Sequence, residues 1–510
     1  MNASAAEGFE AALAKTRSSA ADPTQVEQLA QMSLEAGEEE RALPFVREAA
    51  DQLRDARLWQ WTGILERSLD EHERALAAFE TAAGIVPTSP SIAHARARVA
   101  LEAGLPAMDL FERAIQLAPT DGEVLLGYVA AFLAAGKGDQ AEAVLDQVLA
   151  RSPLWLDGHV QLAQLRSKLG KRESATRSID RAIASNPNAE PLWATLFGIL
   201  LSAQNFAGLE EAIARSRASP LSPSLPLSYA AIAAAELGKA DLADRLFAQM
   251  SDELRSSVEV WRIRHLLRTG RVAEAVVALD RQLDVGDASL FWPYASVAWR
   301  VSADPRWEWL EGDLDRLVSI LDLTSELADV DQLEVSLRAL HGSGGEYLDQ
   351  SVRGGSQSDG PLFTRIDPNI RTLRAAIVRA VKTYIEQLPP FDRGHPLLGR
   401  DRDRPVRFSG SWSVLLRGGG HHSNHVHPQG WISSAFYVAL PESAQSEDRY
   451  AGWLILGEPQ KELGVDLPPF RHIEPRRGQL VLFPSWMWHG TVPFTQGERL
   501  TAAFDVRPPI

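Results

Sequence analysis

The stretch His421-His-Ser-Asn-His-Val-His-Pro-Gln-Gly-Trp-Ile-Ser-Ser-Ala-Phe-Tyr-Val-Ala-Leu440 places four of the twelve histidines of this 510-residue chain within seven residues, directly ahead of a strand-like run. In extended backbone, residues two apart point to the same side, so His425 and His427 share a face. The chain contains no cysteine. Any transition metal must therefore be held by imidazole and carboxylate, and this histidine density predicts a metal site. His421 and His422 follow three glycines and are expected in a loop, exposed or behind the ligands rather than among them.

Around this stretch the hydrophobic period is two. Short runs such as Trp412-Ser-Val-Leu-Leu416, Trp453-Leu-Ile-Leu456, residues 431–440, 479–483 and 500–506 are separated by Gly and Pro turns, the pattern of a small antiparallel barrel or jelly roll. In Gly478-Gln-Leu-Val-Leu-Phe-Pro-Ser-Trp-Met-Trp-His489 an apolar strand and a Pro-Ser-Trp turn can carry His489 back across that barrel as a third imidazole. Three ligands on one face leave coordination positions open, as an Fe(II) oxygenase needs in order to admit a bidentate 2-oxo acid and dioxygen. Ten residues on, Glu498-Arg-Leu-Thr-Ala-Ala-Phe-Asp-Val506 offers Arg499, whose guanidinium grips a carboxylate through two parallel hydrogen bonds. Thr501 shares its face and adds a hydroxyl. Ser434 and Tyr437 are candidate contacts for the 2-oxo acid, with core packing as the alternative. Trp431, Trp486 and Trp488 belong either to a pocket or to the core. The glycine-rich stretch Gln350-Ser-Val-Arg-Gly-Gly-Ser-Gln-Ser358 reads as a loop near the mouth of the site.

From about residue 20 to 285 the period changes to that of helices, in sequence rich in Ala, Leu, Glu and Arg. Pro87, Pro119, Pro153 and Pro187 each close a helix-like stretch at intervals of 32, 34 and 34 residues, the spacing of helix-turn-helix repeats. Gly104, Gly136, Gly170, Gly238 and Gly270 mark the turns within units, with Gln204-Asn205 filling an intermediate one. Such units bury their apolar faces only by stacking, which generates a superhelix whose concave surface suits a peptide or protein partner. The alternative is a scaffold alone. The aromatic stretches Phe291-Trp-Pro-Tyr-Ala-Ser-Val-Ala-Trp299 and Arg306-Trp-Glu-Trp309 suit a helical bridge between domains. Leu317-Val-Ser-Ile-Leu-Asp-Leu323 reads as a strand, a helix follows to about 340 with Asp329, Thr324 or Ser325 as its cap, and residues 367–388 form another helix. The domains expected are 1–285, a repeat solenoid; 286–316, the bridge; and 317–510, the jelly roll.

Composition sets outer bounds. With 45% hydrophobic and 23% charged residues the chain is of globular type. A formal net charge of -15 disfavours nonspecific attraction to nucleic acid or an anionic membrane. The amino terminus lacks the pattern of a secretory signal and no apolar run is long enough to span a bilayer, so a cytoplasmic location is expected.

On the motifs His425-Val-His-Pro-Gln-Gly-Trp-Ile-Ser-Ser-Ala-Phe-Tyr-Val438, Gly452-Trp-Leu-Ile-Leu-Gly-Glu-Pro459, Pro475 to His489 and Arg499-Leu-Thr501, the last 190 or so residues resemble a 2-oxoglutarate- and Fe(II)-dependent dioxygenase. The likeness is to the bacterial group fused to tetratricopeptide repeats, with similarity to aspartyl/asparaginyl β-hydroxylase-like and prolyl-hydroxylase-like oxygenases. Units such as Leu110-Phe-Glu-Arg-Ala-Ile-Gln-Leu-Ala-Pro119 resemble those repeats. The resemblance implies Fe(II) as cofactor and 2-oxoglutarate as cosubstrate, with Arg499 on its distal carboxylate. It implies hydroxylation of a C–H bond, of a protein or peptide brought by the repeats. The chain departs from most relatives at His427, where they carry Asp or Glu. His427 either ligates the metal directly, as β-hydroxylases lacking the carboxylate suggest is workable, or holds a water there. Two rival readings follow from the departure: a repeat adaptor whose jelly roll has lost catalysis, and a cupin-like zinc or manganese protein using the same histidines.

Overall fold

The computed structural model describes residues 3–18, 22–285, 288–327, 329–342, 348, 351–441 and 448–509. After a leading helix, Ala3–Ser18, come eight helix pairs, from Pro23–Ala36 with Glu39–Leu53 to Glu259–Arg268 with Val272–Leu283. Each pair reverses through one residue with positive φ, at Gly37, Asp70, Gly104, Gly136, Gly170, Gln204, Gly238 and Gly270. A left-handed residue after the last helical carbonyls satisfies them and costs glycine nothing sterically. The repeat thus begins two units earlier than the glycines from 104 onward imply. Tight packing also uses glycine: a Cβ at Gly63 would lie 2.7 Å from the Phe79 ring.

The bridge helices Trp292–Ser302, Arg306–Glu311 and Leu314–Leu317 lead into nine strands. These are β1 (Ser319–Asp322), β2 (Val352–Gln357), β3 (Phe408–His422), β4 (Ile432–Ala439), β5 (Leu454–Leu456), β6 (Arg471–Ile473), β7 (Gln479–Pro484), β8 (His489–Thr491) and β9 (Glu498–Val506). A six-stranded antiparallel sheet runs β1-β7-β4-β9-β3-β2, and a three-stranded one runs β6-β5-β8, the arrangement of a jelly roll. Helix Val330–Arg338 is capped by Asp329, whose side chain accepts from Asp331 N and Gln332 N. Helix Pro368–Gln387 is capped in the same way by Asp367.

Strand alternation splits the large sheet's residues between two cores. Ile432, Phe436, Leu480, Leu482, Phe504 and Val506 pack on Leu373, Ile377 and Val381 of helix Pro368–Gln387, in a cluster continuous with Ile263, Leu266 and Leu279 of the last repeat and with Trp299 of the bridge. Trp431, Trp486 and Trp488 belong to that core, so their bulk fills space rather than lining a pocket. On the opposite face Ala435, Tyr437, Val481 and Phe483 meet Leu454, Leu456 and Ile473 of the small sheet.

The strand-bearing half is fastened to the turn edge of the solenoid. Arg404 donates to Ala36 O and pairs with Glu38, while Arg407 bonds Glu40 at 2.6 Å, all at the Gly37 turn. Arg374 donates to Leu69 O at 3.0 Å and to Glu71 at 3.1 Å, and Arg371 pairs with Glu73, at the Asp70 turn. Thr364 Oγ1 donates to Glu102 O at 2.8 Å and Ile366 N to Ala103 O at 3.2 Å, beside Gly104. Lys168 pairs with Asp359 just before Gly170, and Arg268 donates to Glu462 O at 2.6 Å just before Gly270.

Candidate metal centre

Two chain reversals bring the histidines together. His425 and His489 form an antiparallel bridge, each N–H donating to the other's carbonyl at 2.9 and 3.0 Å. His427 N donates to Ser485 O at 2.9 Å, which fixes the second strand of the pair. One ring nitrogen from each of His425, His427 and His489 lies within 4.8 Å of the others, a grouping able to hold a metal ion. His489 is buried and the other two half-buried.

The nitrogen turned away from the centre is accounted for in all three rings. His425 Nδ1 faces Ser423 O at 2.8 Å, His489 Nδ1 faces Met487 O at 2.9 Å, and His427 Nδ1 faces Asp505 Oδ2 at 2.6 Å. An acceptor at Nδ1 fixes the tautomer and leaves Nε2 with its lone pair free for an ion. Burial, then the mutual proximity of the imidazoles, holds the His425 and His489 pKa values well below the usual range. These two rings are neutral near pH 7, the state a metal requires. His427 differs: burial lowers its pKa, but the Asp505 carboxylate outweighs that and raises it overall.

The triad lines a cavity of about 400 Å³, within the range of small-molecule sites. Arg499 lines the same cavity and is only 3% exposed. Its Nη1 donates to Thr491 Oγ1 at 2.9 Å and to Gly452 O at 3.1 Å. Its buried Nε has no partner. The guanidinium lies 4.9 Å from the centroid of the Tyr437 ring, whose buried hydroxyl is also unpartnered. Burial pulls the Arg499 pKa down from a value high enough to keep the group cationic at neutral pH. Nε and Nη2 form the side of a guanidinium that takes a carboxylate in two parallel bonds, and here Nε on that side is unpartnered. The neutral imidazoles and this cation fit an open-sided metal with a dicarboxylate beside it.

The other candidate residues separate by strand parity. Thr501, opposite Tyr437 in the β4–β9 pairing, faces the cavity. Ser434 is among the residues lining the cavity, although its side chain and that of Tyr437, three apart, point to opposite faces of the strand. The Ser434 hydroxyl donates to Phe504 O at 2.8 Å and accepts from Phe504 N at 2.9 Å, so it is spent on the strand pairing. Tyr437 sits in the core between the two sheets, its ring against the Arg499 guanidinium. His421 and His422 end strand β3 rather than lying in a loop, paired with Arg353 and Val352 of β2. His422 lines the cavity, 5.8 Å from His425 between ring centroids. Burial, with Arg499 nearby, lowers its pKa to about 3. Residues 352–357, read as loop, form β2, and Ser351 and Gln357 line the cavity; Gln350 lies outside the described residues. Sequence reading passed over Trp412, stacked on His427 at 5.6 Å and 6°, and Asp505. Parity from Arg499 through Thr501 would have found Asp505.

Residues 410–505 match a protein family described as "Putative 2OG-Fe(II) oxygenase", and residues 107–165 match the tetratricopeptide repeat family. Similar solved structures include a tetratricopeptide repeat protein from Parabacteroides merdae ATCC 43184, 16% identical over 44% of this chain and 90% of that one, with a TM-score of 0.32. Another is a thermophilic repeat protein of Thermus thermophilus, 20% identical over 35% and 98%, with a TM-score of 0.27. A Pseudomonas putida prolyl-4-hydroxylase is 18% identical over 38% and 92%, with a TM-score of 0.25. No curated protein matches. The two family matches thus fall on separate segments, the repeat match in the helical half and the oxygenase match in the strand-bearing half. Among the described residues no helix is long and apolar enough to cross a membrane.

Proposed function

We propose that the protein is a 2-oxoglutarate- and Fe(II)-dependent dioxygenase that hydroxylates a C–H bond, with His425, His427 and His489 as metal ligands and Arg499 as anchor of the cosubstrate's distal carboxylate. The observation that carries this reading is the convergence of three imidazoles, each with Nδ1 already engaged, in one cavity with a buried arginine whose Nε is unpartnered. Bound Fe(II) supplies dioxygen activation coupled to decarboxylation of 2-oxoglutarate to succinate and CO₂. The protein's own part is positional. Thr491 and Gly452 O hold Arg499 in place, Thr501 offers a hydroxyl beside it, and Val426, Leu454, Phe483, Ala435 and Ala503 give the cavity apolar walls that limit water. Dry walls strengthen every charge interaction inside.

A protein or peptide is the proposed substrate class, recruited by the repeats. Because the oxygenase half takes much of the turn edge in cis, recruitment falls to the helix faces and the opposite edge, where Ile85, Val86 and Leu154 are exposed. The test is anaerobic addition of Fe(II) and 2-oxoglutarate to the full chain, then oxygen and a peptide library. A weak visible charge-transfer band, followed by succinate release matched to a peptide gaining one oxygen, is expected. Absence of the band with both ligands saturating refutes the reading.

A further inference from the structure

His427 differs from the other two histidines in what stands behind it. Their Nδ1 atoms face neutral main-chain carbonyls, whereas that of His427 faces a carboxylate at 2.6 Å. The carboxylate is itself held. Asp505 Oδ1 accepts from the Ser433 hydroxyl at 2.6 Å, and Ser433 Oγ lies 3.0 Å from Ser485 Oγ. Ser485 in turn receives the His427 main-chain N–H. The turn after His427 can close on this group only because residue 430 is glycine: a Cβ there would lie 2.6 Å from Ser485 Oγ and 3.3 Å from Asp505 Cβ. Trp412 stacks on the imidazole face itself. A ring clamped at one nitrogen and one face has a single orientation left.

The charges in the cavity give this arrangement its meaning. The metal-capable group contains no carboxylate, so three neutral imidazoles leave a divalent ion with its whole charge. Of the residues lining the cavity, Arg499 is the one with a permanent positive charge, and Asp505 is the one acid. We infer that Asp505 is the positioning residue and charge partner of the metal, holding His427 Nδ1–H so that Nε2 faces the ion and supplying through that imidazole the negative charge a carboxylate ligand would otherwise provide. This rests on the proposed metal site. A second-layer acceptor raises the basicity of a ligating imidazole as well as orienting it.

Calorimetric titration of the full chain with Co(II) alone tests this. Loss of such an outer partner typically costs 10- to 100-fold in metal affinity, and Asp505→Asn, which keeps the shape and removes the charge, is expected to weaken Co(II) by about that factor. In a His427→Asp background, where the ligand carries its own charge, the same change is expected to cost less than about threefold; a merely structural role would cost the same in both. Unchanged affinity in Asp505→Asn, or an equal loss in both backgrounds, overturns the inference. Should Asp505→Asn fail to fold, Ser433→Ala, which removes one bond to the carboxylate, is expected to weaken Co(II) several-fold, and no change refutes the idea equally. His489→Ala separates the two layers of argument: if it binds Co(II) as tightly as the unaltered protein, the triad is not the metal site at all. If it loses Co(II) while Asp505→Asn does not, the triad stands and only the role of Asp505 falls.

Discussion

Replacing Arg499 with Met removes the one permanent cation of the cavity while keeping an unbranched apolar stem of similar reach. In the proposed complex the distal carboxylate of 2-oxoglutarate is then buried opposite no positive charge. Breaking such a buried pair by deleting one partner costs about 3–5 kcal/mol, which at about 1.4 kcal/mol per tenfold weakens the cosubstrate by about two to three and a half orders of magnitude. Arg499→Lys restores the charge but not the fork, losing one charged hydrogen bond worth about 1.5–3 kcal/mol, so its loss is the smaller. Both variants disturb the donors to Thr491 and Gly452 O, and melting temperatures measure that cost separately. The assay is anaerobic titration of the Fe(II)-loaded protein with 2-oxoglutarate, followed by the charge-transfer band, which needs no knowledge of the substrate. Pyruvate, which lacks the distal carboxylate, serves as control: its weak binding should not distinguish the variants. An Arg499→Met protein that binds 2-oxoglutarate within threefold of the unaltered chain refutes the assignment.

His489→Ala should abolish both stoichiometric metal and succinate release. It should also abolish the rise in stability that metal gives the unaltered protein, about 2.7 kcal/mol at a hundred times the dissociation constant; differential scanning with and without Co(II) reads this directly. His341 bridges the hydroxyls of Ser356 and Ser413 at 2.9 and 3.0 Å, and burial, with Arg417 and Lys168 nearby, lowers its pKa to about 4. An unfolded histidine titrates near 6.5, so between 6.5 and 4 the unfolded chain binds the extra proton. The contribution of His341 to stability is therefore complete above about 6.5 and lost as pH falls toward 4, at no more than about 1.4 kcal/mol per unit. His341→Gln should flatten that part of the melting temperature against pH, and an unchanged slope contradicts the shift. Reversing Arg371 and Arg374 to Glu sets like charges against Glu71 and Glu73 and removes the bond to Leu69 O. Exposed pairs are each worth about 0–1 kcal/mol, so a drop of a few degrees and faster proteolysis are expected; no change in either would show that this seam carries no stability.

What could be read from the sequence was whatever obeys a period. The 34-residue spacing located the later helix pairs, and alternation put His425 with His427 and Arg499 with Thr501. The same alternation separates Ser434 from Tyr437 and, followed along the whole strand, adds Asp505. The second turn escaped because Asp70 holds a left-handed conformation with no glycine to announce it, which cut the Gly37 turn off from the glycine series. Glycine misled in the opposite sense at β2 and the end of β3. Gly354 and Gly420 suggest a loop, yet a Cβ at Gly420 would lie 2.7 Å from Gly354 O. The glycines are there so that two backbones can approach as strands across the bulge between Arg353 and Gly355.

No local pattern could show the seam between the halves, because its partners lie far apart in sequence and follow no common motif: arginines at 371, 374, 404 and 407, a threonine at 364, an aspartate at 359. What unites them is the other side of the contact. A solenoid repeats its turn edge every 32 to 34 residues, offering main-chain carbonyls and the charges around them at regular steps along the superhelix. A domain laid along that edge can therefore gather many small bonds, each near the lower limit of usefulness, without deep shape complementarity. The last repeat goes further, since Ile263, Leu266 and Leu279 share one hydrophobic core with strands β4, β7 and β9. A cut at residue 285 would expose that core on both sides. Heat should consequently unfold the last repeat and the oxygenase half in one transition, and a scan in which all the repeats melt first, leaving the sheet and its metal affinity intact, would show that the shared core does not couple them.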